Sequence, residues 1–191
     1  MSSPESAAVE TQVQHWLDQV VIGLNLCPFA ARPARAGQIR IAVSEARTEE
    51  ALLTELHTEL ARLDGADVDE LETTLLVIPR MLQIFDRYNQ FLDLADALLD
   101  EFGWTGTYQI ASFHPQYRFA DTEPESRENF TNRAPYSILH LLREDSLDQA
   151  LAGYPDPEGI PARNIQRMEK LGDAEIRVLF PHLYPDRNPA G

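Results

Sequence analysis

The sequence predicts an α/β fold: a single domain with a mostly parallel or mixed sheet and helices packed on it. Three observations carry this. Short apolar runs of strand length alternate with longer segments whose apolar residues recur every three or four positions. Residues 73–78 form a nearly continuous apolar run, as a strand covered on both faces should. The 191 residues, 43% of them apolar, suffice for one sizeable core, and no repeat, low-complexity tract or interdomain linker divides them.

The elements follow in order. Val9, Val13, Trp16, Leu17, Val20 and Leu24 recur at helical spacing over residues 8–24, and Pro28 prevents continuation. Residues 32–37 read as a loop. In residues 38–44, Ile39, Ile41 and Val43 alternate as a strand. Thr48 caps a helix through Leu63, with Glu49 and Glu50 at the positive end of its dipole and Leu52, Leu56, Leu60 and Leu63 in its buried stripe. The strand at 73–78 stops at Pro79-Arg80. A wide apolar stripe makes residues 84–102 a helix closed by Gly103, and a turn leads into a strand at 107–113. Residues 136–142 are the fourth strand, of open direction. Asp145 or Ser146 caps a short helix through Leu151, residues 154–159 are a stiff connector, and Pro161 opens a helix ended by Gly172. Residues 175–180 are a candidate last strand. Residues 1–7 and 181–191 are expected to be loose termini.

Charge and composition exclude several classes. A net charge of −15 opposes nucleic acid and anionic membrane surfaces, which require Lys and Arg. No run approaches the ~18 apolar residues of a membrane span, and the N-terminus carries no secretory signal pattern. One cysteine forbids an internal disulfide and fits a reducing cytoplasm.

Chemistry concentrates in residues 108–143, which hold two of the five histidines and four arginines against four acids. In open α/β sheets ligands bind beyond the carboxyl ends of the strands. Those ends are Ser44, Arg80, His114 and, if the fourth strand is parallel, Arg143; if it is antiparallel, Asn132 and Arg133 take that place. His114 is the candidate general acid or base, because imidazole titrates near working pH. Arg80, Arg133 and Arg143 would fix an anion, and Tyr117, Asn129 and Asn132 would orient it. Arg163, near a helix N-terminus, is a further anion contact, against a solvated face as the plainer reading. His140, alternating with apolar neighbours, suits a core histidine. Cys27, after a helix C-terminus among apolar residues, suits a buried, unreactive thiol. No zinc-like spacing, Walker loop, GxGxxG or GxSxG is present.

Four segments resemble those of a known family: Leu24-Asn25-Leu26-Cys27-Pro28-Phe29, Tyr108-Gln109-Ile110-Ala111-Ser112-Phe113-His114-Pro115, Asn132-Arg133-Ala134-Pro135-Tyr136 and Ile160-Pro161-Ala162-Arg163-Asn164-Ile165. They look like signature segments of the bacterial DUF1415 family, whose function is unknown. The resemblance implies a single-domain bacterial protein of this length and supplies no catalytic residues or cofactor.

The leading expectation is a cytoplasmic enzyme acting on a small phosphate- or carboxylate-bearing metabolite, with no nucleic acid or membrane partner. A non-catalytic metabolite-binding or protein-interaction module is the alternative, and a Cys/His metal protein the third reading. Substrate, cofactor and oligomeric state are not readable from these residues.

Overall fold

Thr73–Ile78 (β2) is buried at every position in the computed structural model, which describes residues 3–184. Leu75, Leu76, Val77 and Ile78 are each at most 2% exposed, and full burial of such side chains contributes about 1.5–3 kcal/mol apiece. This strand pairs in parallel with Ile39–Val43 (β1) and antiparallel with Ser137–Arg143 (β4). The outer neighbour of β4 is Tyr108–Phe113 (β3), also antiparallel to it. The order β1-β2-β4-β3 makes one mixed four-stranded sheet, the α/β class expected.

Strand pleating sends alternate residues to two cores. On one face Leu76, Ile78, Leu139 and Leu141 meet the stripes of Glu49–Gly65 (α3) and Phe85–Glu101 (α4). Thr48 caps α3 by accepting from the Ala51 N–H, and Leu52, Leu56, Leu60 and Leu63 are fully buried. On the other face Leu75, Val77 and Ile138 meet Pro4–Trp16 (α1), the π-helical segment Leu17–Ile22 that continues it, Met168 of the helix Ile160–Lys170, and Phe130 and Phe180.

Several elements depart from expectation. Residues 4–7 are not loose: Ser3 caps α1 through the Ser6 N–H and Pro4 opens it. Ala31–Ala36 (α2), expected as loop, is a short helix, because Pro33 falls in the first turn, where its missing N–H costs nothing. Gly37, at φ +71°, ends it in the left-handed conformation a glycine accepts. The helix after β4 begins at once, as Glu144–Ala152 (α5), one residue before the expected cap. The connector leads to Ile160–Lys170 (α6). The candidate last strand is instead the helix Asp173–Leu179 (α7), followed by a 3-10 turn, Pro181–Leu183, where a loose tail was expected. The rest of that tail, 185–191, lies outside the described residues, as do residues 1 and 2. Among the described residues no helix is long and apolar enough to cross a membrane.

Candidate functional site

The carboxyl ends of β1, β2 and β3 share one rim, and there the sequence placed its site. Because β4 runs antiparallel, its Arg143 pairs with Tyr108 at the start of β3, at the opposite end of the sheet from His114. Arg143 donates to the carbonyls of Leu63, Ala66 and Leu71 and lies over the Tyr108 ring. It closes the C-terminus of α3, whose last carbonyls have no partner within the helix. Arg143 therefore does not stand at the rim beside His114, and its donors go to backbone carbonyls.

At the rim itself, Ser44 is 2% exposed and its hydroxyl accepts from the Ala46 N–H. Arg80 forms ion pairs with Glu5 and Glu45, so its charge is already met. His114 is 0% exposed and wedged between the rings of Phe85 and Tyr88. Its Nδ1 accepts from the Gln116 N–H at 2.9 Å, which leaves Nε2 to donate to the Leu82 carbonyl at 3.0 Å. Burial pushes its pKa down from the ordinary histidine value. A neutral ring with both nitrogens engaged and no exposed atom does not reach a substrate. What it holds is the turn at Leu82, whose φ of +56° is strained for leucine and whose carbonyl also accepts from the Ser137 hydroxyl.

Tyr117 and Asn132 bond to His114 through the main chain and Arg133 donates to the Tyr117 carbonyl, but the side chains of Asn129, Asn132 and Arg133 are taken up largely by the protein's own backbone. Asn129 is 0% exposed and uses all its valences: Oδ1 accepts from the Phe119 N–H and the Thr122 hydroxyl, while Nδ2 donates to the carbonyls of Glu123 and Pro124. Asn132 Nδ2 donates to the Ser112 carbonyl, and its own carbonyl accepts from the His114 N–H. Arg133, 8% exposed, donates to the carbonyls of Tyr117 and Pro124 and lies 4.2 Å over the Phe130 ring. The Tyr117 ring packs against Phe85 and Phe119. Arg163 pairs with Asp156 and faces the Tyr154 ring. Its helix neighbours Asn164 and Arg167 donate to the carbonyls of Leu26, and of Leu24 and Asn25. They close the end of the π-helical segment. The expected convergence of His114 with two unpaired arginines is therefore not found.

His140 is partly buried beside Phe113, with a pKa pushed down to about 4 by desolvation. Cys27 is partly buried, and burial raises its thiol pKa, opposite to the shift that activates a nucleophile. Among the described residues no three or more His, Cys, Asp and Glu stand together as metal ligands, so the Cys/His metal reading has no site there.

A cavity lies elsewhere among the described residues. It holds about 270 Å³ and is lined by Glu125, Arg127, Phe130, Asp173, Arg177 and Tyr184. The 3-10 segment Arg127–Asn132 supplies one wall and α7 the other, drawn together by the Arg127–Asp173 ion pair and by Phe130 packing edge-on to Phe180. Arg177 lies 4.6 Å over the Tyr184 ring. Neither Arg177 nor Glu125 forms an ion pair among the described residues. Close by, His182 Nε2 is buried without a hydrogen-bond partner. Its pKa is pushed down to about 4, chiefly by desolvation and further by the charge of Arg133. None of the residues that line this cavity is among the site residues expected from the sequence. Arg177 was hidden inside a presumed strand and Tyr184 inside a presumed tail.

The fold and cavity define a single-sheet mixed α/β protein with an arginine- and carboxylate-lined depression at the edge of one core. The chain belongs to the DUF1415 family, described as a protein of unknown function, whose profile matches residues 8–178. That span includes every cavity residue except Tyr184. No curated protein and no solved structure matches the chain.

Proposed function

We propose that the protein is a binding module for a small carboxylate- or phosphate-bearing molecule, seated in the cavity beside Phe130 and gripped by Arg177. The observation that carries this is Arg177 itself. It is an arginine lining a cavity, oriented by the Tyr184 ring, with no carboxylate partner among the described residues. A planar guanidinium presents paired N–H donors that match a carboxylate or phosphate edge. Arg133, buried over the ring of Phe130 without an ion pair among the described residues, adds a second positive charge that water screens poorly. Acid–base chemistry at His114 does not enter the proposal, because that ring is enclosed. A small ligand suits the volume, and the net charge of −15 disfavours nucleic acid and anionic membrane as partners. A reducing cytoplasm suits a chain with a single thiol.

The test is ligand-dependent thermal stability. Butyrate and inorganic phosphate are titrated separately to tens of millimolar, at constant ionic strength. Binding to the native state alone raises the melting temperature, by about 2.7 kcal/mol of stability at a hundred times Kd. A rise with either anion that disappears in Arg177→Ala is the expected result. No rise with either overturns the proposal.

A further inference from the structure

We infer that the ligand of this cavity is a small zwitterion, a free α-amino acid in class, with its carboxylate on Arg177 and its ammonium on Glu125. This rests on the reading of the cavity as a binding site and narrows its ligand. Four charged side chains line the cavity, and two of them, Arg127 and Asp173, neutralise each other. The other two are opposite in sign, border one space, and are not paired with each other or with any described residue. Glu125 also lies near enough to Arg133 for its negative charge to favour the protonated guanidinium.

A ligand bearing only a carboxylate gains Arg177 but meets the repulsion of Glu125. A ligand bearing only an ammonium gains Glu125 but meets Arg177. A molecule with both satisfies the two charges at once and carries no net charge into a strongly acidic protein. The size agrees. At about 270 Å³ the cavity falls below the ~300–1,000 Å³ usual for drug-sized ligands. Tyr184 and the edge of Phe130 leave an apolar side for a short side chain.

The experiment compares three molecules of matched size by calorimetry or thermal shift on the full chain: butyrate, L-2-aminobutyrate and 1-propylamine. The expected result is that L-2-aminobutyrate binds at least tenfold more tightly than either of the others. In Glu125→Gln that advantage over butyrate should vanish while butyrate binding is kept or improved. In Arg177→Gln both carboxylates should lose binding. Equal binding of butyrate and L-2-aminobutyrate, or an advantage that persists in Glu125→Gln, overturns the zwitterion and leaves the anion site standing. If neither carboxylate nor phosphate binds, the site itself falls. Both substituted residues are exposed, and a melting temperature close to the parent's without ligand verifies that each variant folds.

Discussion

Arg133 and Arg177 both border Phe130, and they do different work. Arg133 is enclosed: its N–H groups go to backbone carbonyls of the loop that precedes it, and its flat face covers the ring. Arg177 stands at the surface of α7, braced by one aromatic face and bonded to no described acid. Sequence position favoured the first, because an antiparallel fourth strand puts it at the same rim as His114. Geometry favours the second. An arginine whose donors are spent on carbonyls is part of the frame, whatever its neighbours in sequence, while one whose donors face a cavity has capacity left for a ligand.

The largest effect should come from removing the frame. Asn129→Ala strips four hydrogen bonds from a fully buried loop, and at about 0.5–1.5 kcal/mol each the loss is on the order of 3 kcal/mol. Urea unfolding measures it. A loss below about 1 kcal/mol would mean that the loop is not braced as described. Tyr88→Phe is a smaller version. The Tyr88 hydroxyl sits between the Phe113 N–H and the Ile138 carbonyl where β3 and β4 part. Its removal leaves both unpaired, at about 1–3 kcal/mol, and a variant as stable as the parent would show that the strands close without it.

Acid should weaken the frame as well, with a sign that follows from the histidines. Burial lowers the pKa of His114, and that of His140 and His182 to about 4. In the unfolded chain each takes up a proton near 6.5, while the folded chain resists until well below. Between those values the unfolded state binds more protons, so stability falls as pH falls, by up to about 1.4 kcal/mol per pH unit for each histidine. Melting temperature against pH tests this, and His140→Leu should flatten the slope by about one histidine's worth. A slope unchanged in that variant would assign the loss to other groups.

What was legible in the sequence follows from the same distinction. Strands and helices showed because periodic burial is written along the chain: the leucine stripe of α3 and the run at β2 lie where their spacing puts them. Residues 175–180 failed because six residues satisfy two periods. Ile176, Val178 and Phe180 alternate like a strand, yet Ile176 and Phe180 are also four apart on one helical face, and the 74% exposure of Val178 decides for the helix. The segment 17–22 widens to a π-helix, and no composition marks that. The site was legible only as a cluster of residue types. Asn132 does meet His114 through the main chain, but the side chains of Asn129, Asn132, Arg133 and His114 are engaged largely by the backbone, and a backbone group's position is absent from any spacing rule. The direction of β4 mattered equally. One antiparallel strand moved Arg143 from the rim to the far end of the sheet.

The smallest effect on stability is the one that sharpens the contrast most. Arg177→Ala removes an exposed side chain and one cation–π contact, which at an exposed site is worth about 0.5–1 kcal/mol. Arg133→Ala also removes an arginine over an aromatic ring, but it leaves the Tyr117 and Pro124 carbonyls without their donor and opens a gap over Phe130. It should cost at least twice as much, on the order of 2–4 kcal/mol. Arg133→Lys, which keeps the charge but not the planar fork, should recover little of it. The ligand response should run the other way. Arg177→Ala should melt close to the parent and lose its shift with butyrate. Arg133→Ala should melt far below the parent and, at temperatures where it is folded, keep part of that shift. If the two variants lose equal stability, or if Arg133→Ala alone abolishes the shift, then frame and site are not separate in this protein and the cavity beside Phe130 is one more piece of its architecture.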